Sequence, residues 1–214
     1  MNFFLKGLFA TAIVGAVAIA NAGVEFSNFG AGDTYQFGGY EVSGPTNTLT
    51  HARQDMGFAF KAVFNGFLTE LDVPIIHISG TDGVTVTMFT NQTTAPEGFP
   101  LTPIHTWTAT GLGTAFNTAP TAIDISAANI QVTAGTKYWF VAKATASDFD
   151  GSWATNNQGQ TFNRDGVFSS DGGANYIWQG GPTGAFRVQA VPEPASFAAI
   201  GLGLLAVARR RRKG

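Results

Sequence analysis

The chain has 214 residues, 44% of them hydrophobic and 12% charged, with 27 glycines, 19 phenylalanines and no cysteine. This composition excludes a disordered chain, and the lack of cysteine excludes disulfides, thiolate metal sites and a cysteine nucleophile. Residues 23–190 contain six basic and 13 acidic residues, a formal charge of −7, which argues against a nucleic-acid partner because such binding needs lysines and arginines that displace counterions.

The first 22 residues have the three parts of a secretory signal peptide. Lys6 precedes an apolar run over residues 7–19, and Ala20-Asn21-Ala22 forms the small-x-small pattern at which signal peptidase cuts. A buried helix of the folded domain is the alternative, but the run is apolar on every face and has no amphipathic period. We therefore expect an N-terminal signal helix, cleavage after Ala22 and export of the remainder.

Residues 23–190 show the alternation typical of strands and no sustained helical period. Val84, Val86 and Met88 alternate with threonines, as in a strand with one face in the core. Both faces of residues 137–142 are apolar, so we expect a central strand there, with Trp139 in the core. The sequence predicts an all-β fold, a single jelly-roll-like β-sandwich. The predicted strands are 35–43, 56–63, 66–72, 75–79, 84–90, 104–109, 122–125, 137–144, 151–154, 166–169, 176–179 and 185–190.

The stretch over residues 148–178 is the candidate binding site. Sugars are bound by aromatic faces, with amides and carboxylates taking the hydroxyl groups, and this stretch holds both kinds of group. The alternative is that its two tryptophans are core residues flanked by polar turns. The candidate carbohydrate-binding residues are Trp153, Asn156, Asn157, Asp165, Tyr176 and Trp178.

Signatures of catalysis and metal binding are scarce. The sequence has no Gly-x-Ser-x-Gly elbow, no His-Glu-x-x-His and no phosphate loop. Asp148 and Asp150 are the candidates for a Ca²⁺ site, and two facing carboxylates would also suit a glycosidase, although the same run is typical of a polar turn. We expect no catalytic residues and no cofactor apart from this calcium alternative.

The C-terminus has three parts in order. Val191-Pro192-Glu193-Pro194 comes first, and its two prolines are expected to end the last strand and separate the folded domain from the tail. The apolar run over residues 195–208 would form a helix about 21 Å long, short against a hydrocarbon core of about 30 Å. The basic end should stop export and remain cytoplasmic. Its residues are Arg209, Arg210, Arg211, Arg212 and Lys213.

This order and spacing resemble the PEP-CTERM sorting signal of Gram-negative bacteria over residues 191–213. The resemblance implies that an exosortase-type membrane protease recognises Pro192, Glu193 and Pro194 and removes the tail. The protein would be anchored transiently in the inner membrane through its C-terminal transmembrane helix, then attached at the outer cell surface or released. Such proteins are linked with exopolysaccharide and biofilm matrix. A permanent single-helix anchor is the alternative.

The middle of the chain resembles exported bacterial choice-of-anchor domains, on the segments 86–90, 96–98 and 132–139 together with Trp153 and Trp178. That resemblance implies a lectin-like sandwich and no particular activity. We therefore expect a signal peptide (1–22), a β-sandwich domain (23–190) and a sorting signal (191–214). The expected function is that of a non-enzymatic surface or matrix protein that binds exopolysaccharide. The alternatives are a carboxylate-dependent glycoside hydrolase and a structural or adhesive protein without a sugar site.

Overall fold

Short alternating segments joined by turns build an all-β fold, as predicted. The computed structural model describes residues 22–94, 98–161 and 164–193. The expected signal helix and the expected C-terminal hydrophobic helix with its basic end lie outside these residues. Within them there is no α-helix, and hence no helix long and apolar enough to cross a bilayer.

The strands follow one another closely along the chain, and every predicted strand overlaps an observed one. In chain order they are β1 (Gly23–Ser27), β2 (Gly39–Ser43), β3 (Asp55–Lys61), β4 (Gly66–Val73), β5 (Ile75–Ser79), β6 (Val84–Asn91), β7 (Pro100–Ala109), β8 (Thr121–Asp124), β9 (Gln131–Val132), β10 (Lys137–Ala144), β11 (Asp150–Ala154), β12 (Gly166–Ser169), β13 (Ile177–Trp178) and β14 (Arg187–Pro192), with a 3-10 turn at Ser126–Ala128.

The strands form three antiparallel sheets. The largest has six strands in the order β13-β12-β3-β10-β6-β7. A second has the order β1-β14-β4-β8, with β9 also paired to β4, and a third has the order β2-β11-β5. The main core lies between the sheets: Phe58 and Phe60 come from the six-stranded sheet, Leu68 and Leu71 from the second, and Trp153 from the third. Packing of sheets across a shared core confirms the sandwich prediction.

The central strand β10 is covered on both faces, as its sequence predicted. It pairs with β3 on one side and β6 on the other. Phe140 faces the main core, where its ring stacks on Phe60 with centroids 5.5 Å apart. Trp139 is fully buried on the opposite face, under a second apolar cluster that includes Phe99 and Trp178. The six-stranded sheet therefore has an outer face with a small core of its own.

Candidate functional site

The structure places two of the predicted sugar-binding residues inside the protein. Trp153 is fully buried, with the edge of its ring against Phe58 at 4.8 Å, and its Nε1 donates to the Ala185 carbonyl at 2.8 Å. Asn156 is also buried, and its Nδ2 donates to the Thr183 carbonyl at 2.8 Å. Both side chains join distant parts of the backbone and present no surface to a ligand.

Tyr176 and Trp178 lie on the outer face of the six-stranded sheet, on the other side from Trp153. Trp178 is half-buried and stacks on Phe99 with centroids 4.3 Å apart. Burial, with a smaller contribution from neighbouring acidic groups, raises the pKa of Tyr176 to about 12. The structure therefore does not bring Trp153 and Trp178 together into one aromatic platform.

A pocket beside this outer face, of about 410 Å³, collects basic side chains. Lys137 binds Asp165, another of the predicted residues, with its Nζ 2.5 Å from Asp165 Oδ1. Lys137 Nζ also lies 5.6 Å from the centre of the Trp139 ring. Lys61 and Arg164 line the same pocket and make no salt bridge with any residue that the structure describes. Asp165 therefore neutralises one of three cations in the pocket.

Asp148 and Asp150 have different surroundings. Asp148 Oδ2 accepts a hydrogen bond from Thr81 Oγ1 at 3.1 Å. Asp150 is 1% exposed. Neither of its carboxylate oxygens accepts a hydrogen bond of normal geometry from the described residues. The N–H of Gly151 nevertheless stabilises the charged form and so lowers the pKa. Burial raises the pKa of Asp150, and the charge of Glu41 raises it further. In the described part of the chain, no three His, Asp or Glu residues are arranged to hold a metal ion.

A cleft of about 460 Å³ lies between two loops that sequence reasoning did not single out. Phe37 is 81% exposed, and its ring lies 6.2 Å from the ring of Phe116 on the other loop, measured between centroids. We call this site the aromatic cleft. Its lining residues are Gly32, Asp33, Thr34, Tyr35, Phe37, Phe116, Asn117, Thr118, Ala119 and Pro120.

Backbone and side-chain hydrogen bonds hold both loops of the aromatic cleft in place. Tyr35 joins them directly, because its hydroxyl donates to the Thr118 carbonyl at 2.6 Å. The first loop is tied to Thr155 through the N–H of Gln36 at 2.9 Å. The second is tied to β5 by the N–H of His77, which donates to the Gly113 carbonyl at 2.8 Å. Contacts within the protein therefore fix the positions of both loops.

Polar groups at the rim of the cleft are also fixed. Asp33 Oδ1 accepts a hydrogen bond from Arg187 Nη1 at 2.7 Å, and Arg187 Nε binds Asp72 at 2.8 Å. Thr34 Oγ1 accepts from Asn157 Nδ2 at 3.0 Å. Of the six predicted sugar-binding residues, Asn157 is the one in contact with a lining residue of the cleft. The signal that sequence reasoning missed is a pair of phenylalanines in segments rich in glycine, threonine and asparagine.

The last strand continues into the predicted sorting motif. β14 pairs with β1 only as far as Ala190, but it pairs with β4 as far as Pro192, opposite Gly66. The N–H of Glu193 then donates to the Asn65 carbonyl at 3.1 Å. β14 therefore ends at Pro192, two residues beyond the predicted end of the strand at residue 190, and Glu193 is still bonded to the domain. The expected separation of the tail from the domain concerns residues after Glu193, which lie outside the described residues.

Pro192 is tolerated because, among the residues that the structure describes, this end of β14 has a partner on one side only. Successive N–H groups of a strand point to opposite sides, and that of Glu193 points to β4. The nitrogen of Pro192, which has no hydrogen, therefore faces the side where β1 has already ended. Proline is accepted at such edge positions. Pro194, the apolar run and the five basic residues lie outside the described residues, as does Ala20 of the expected signal cleavage site.

Comparison with known proteins identifies the C-terminal segment. The family model of the PEP-CTERM protein-sorting motif matches residues 190–213. Neither the search of curated proteins nor the search of solved structures found a match, so the choice-of-anchor resemblance stays a prediction. The motif implies export, processing by the membrane protein exosortase and transient membrane anchoring before sorting to the cell surface. The chain carries, from β14 onward, a PEP-CTERM protein-sorting motif.

Proposed function

We propose that this protein is a non-enzymatic, exosortase-sorted component of the bacterial cell surface or extracellular matrix, and that it binds a neutral polysaccharide in the aromatic cleft. The observation that carries the proposal is the exposed Phe37, whose ring lies 6.2 Å from that of Phe116 across a cleft with hydrogen-bonded loops. The sorting motif supports the location, and its association with exopolysaccharide and biofilm matrix, implied by the PEP-CTERM resemblance, supports the class of ligand.

The chemistry of the cleft suits a sugar. The C–H face of a pyranose packs on an aromatic ring, and Phe37 offers one with most of its surface in solvent. Thr34 and Asn117 line the same cleft and supply hydroxyl and amide groups for sugar hydroxyls. Its volume of about 460 Å³ lies within the usual range of ligand pockets. Because hydrogen bonds already order both loops, little conformational entropy is lost on binding.

The carboxylates support binding rather than hydrolysis. A glycosidase needs two carboxyl groups about 5–10 Å apart across the scissile bond. Asp33 is the one acid among the lining residues of the aromatic cleft, and Arg187 holds it in an ion pair. With no second acid lining the cleft, the hydrolase alternative lacks its essential pair there. The negative charge of residues 23–190 favours a neutral ligand over a polyanion.

The test is retention of the purified full-length chain on insoluble polysaccharides. We would compare a neutral glucan, chitin and a polyuronate, using the wild type, Phe37→Ala and Phe116→Ala. Loss of one stacking ring should weaken retention on a neutral polysaccharide about tenfold, since a stacking contact is worth about 1.4 kcal/mol. Retention of Phe37→Ala equal to that of the wild type, or wild-type retention on the polyuronate alone, would contradict the proposal.

A matched control comes from the edge strand β7, which also supports the adhesive alternative. β7 pairs with β6 on one side and exposes 57% of Leu101 and 38% of Ile104, and an exposed strand edge is a surface for protein pairing. Leu101→Ala removes an exposed apolar side chain that is not among the residues lining the cleft. It should leave sugar retention unchanged. Loss of retention in Leu101→Ala but not in Phe37→Ala would instead assign the binding to β7.

A further inference from the structure

The sorting motif begins inside the folded sandwich, and this placement bears on how it is processed. The reasoning rests on the motif match and its implied exosortase processing, and it is independent of the aromatic cleft. Pro192 is the last paired residue of β14, and the backbone N–H of Glu193 is bound to the Asn65 carbonyl. Two of the three residues of Pro192-Glu193-Pro194 are therefore attached to the domain.

The side chain of Glu193 is held as well. Gln131 of β9 lies opposite Phe67 of β4, and Phe67 lies opposite Val191 of β14. Paired residues share a face of the sheet, and so do residues two apart on a strand, so Gln131 and Glu193 lie on one face across β4. There the Nε2 of Gln131 donates a hydrogen bond to Glu193 Oε1.

Gly66 allows the strand end to approach this closely. A Cβ atom at Gly66 would lie 2.8 Å from the carbonyl oxygen of Val191 and 3.1 Å from the Phe64 ring. Asn65 is positioned in turn, because its Oδ1 accepts a hydrogen bond from the N–H of Ala134 at 2.8 Å. We call Asn65, Gly66 and Gln131 the motif clamp.

We infer that the motif clamp restrains processing of the tail, with Gln131 as a positioning residue for the sorting motif. The N–H and one carboxylate oxygen of Glu193 are bonded to the domain, so a protease that binds this residue must first draw the end of β14 away from β4. Cleavage of a transiently opened segment follows the population of the open form when opening and closing are fast. The clamp therefore sets how much of the chain is ready for exosortase.

The test follows tail removal in the native host, using the full chain and pulse-chase labelling. Gln131→Ala removes the side-chain contact and leaves the motif residues unchanged. It should speed tail removal about threefold, as expected for one partly exposed hydrogen bond, without changing the melting temperature. The N–H of Glu193 should exchange with solvent faster in the purified full chain. Gln179→Ala is the matched control, because Gln179 bonds the Gly180 carbonyl and Tyr40 and contacts no residue of the motif clamp. Its tail should be removed at the wild-type rate.

A second variant acts on the backbone. Gly66→Ala should push the end of β14 outward and speed tail removal more than Gln131→Ala does. Wild-type processing rates in both variants, with faster exchange at Glu193, would overturn the inference because the clamp would open without affecting sorting. A wild-type chain that keeps its tail would contradict the sorting reaction and this role for Gln131, whereas failure of polysaccharide retention would leave the inference intact.

Discussion

Replacing Trp153 by phenylalanine tests whether this residue is core rather than ligand platform. The indole Nε1 donates to the Ala185 carbonyl at 2.8 Å, and Ala185 is itself fully buried. Leaving that carbonyl without a partner costs about 1–3 kcal/mol. Phenylalanine is smaller by roughly 40 Å³, and a residual cavity of that size at about 24 cal/mol per Å³ adds about 1 kcal/mol. We expect Trp153→Phe to destabilise the fold by about 3 kcal/mol.

Thermal unfolding followed by near-ultraviolet circular dichroism measures this loss. For a domain of this size about 3 kcal/mol corresponds to a melting temperature lower by about 9 °C. Trp178→Phe is the control, at the half-buried ring that stacks on Phe99. It should lower the free energy of unfolding by less, because in the described residues the indole Nε1 of Trp178 donates to no buried carbonyl that the substitution would leave without a partner. An unchanged melting temperature in Trp153→Phe, together with loss of polysaccharide retention, would refute the assignment of Trp153 to the core.

Two further substitutions test buried positions. Burial and, to a smaller extent, the charge of Glu41 raise the pKa of Asp150. The folded state therefore loses stability as the pH rises from the ordinary carboxyl pKa through the raised one. Asp150→Asn should melt at a higher temperature than the wild type at pH 7 and at the same temperature in strong acid. A lower melting temperature of the variant at pH 7 would show that the carboxylate binds a partner such as a cation. Gly184→Ala would drive a Cβ into the fully buried Phe58 ring. It should lower the free energy of unfolding, measured by thermal unfolding, by about 1–3 kcal/mol or more. Gly180→Ala is the control, because a Cβ there would point into open space, and it should melt at the wild-type temperature.

The strands were predictable because their pattern is local. Alternation of apolar residues with threonines located β6, and apolar residues on both faces identified β10 as central, with Trp139 buried. Two strands, β1 and β9, were not predicted. β9 has two residues, too few for a period to show. β1 buries Glu25 and exposes Val24, the reverse of the usual alternation of buried apolar and exposed polar residues. β7 begins at Pro100, four residues before its predicted start, because its edge position accepts proline.

The binding surface was not predictable because it depends on which loops meet. Tyr35 and Thr118, whose hydrogen bond joins the two sides of the aromatic cleft, are 83 residues apart in sequence. Composition favoured residues 148–178, where tryptophans and amides are close in sequence. The sheet order then placed Trp153 in the main core and Trp178 on the opposite face of the six-stranded sheet. Phe37 is exposed although its sequence context does not distinguish it from a core phenylalanine.

The sorting motif was predictable for the opposite reason, since its three parts are contiguous in sequence. What the sequence could not show is that Pro192 and Glu193 remain attached to β4. That attachment depends on β1 ending opposite Ala190 and on Gln131 lying across the sheet. Glu193 therefore belongs to a motif that is contiguous in sequence, but its hydrogen-bond partners, Asn65 and Gln131, are distant in sequence.

The intact mass of the protein recovered from the medium, the cell surface and the membrane of its native host would show whether exosortase sorts it. We predict a species that begins at Gly23 and ends within Pro192-Glu193-Pro194, found at the surface or in the medium. A species that keeps residues 195–214 and remains in the membrane would contradict sorting by exosortase and would identify the tail as a permanent anchor.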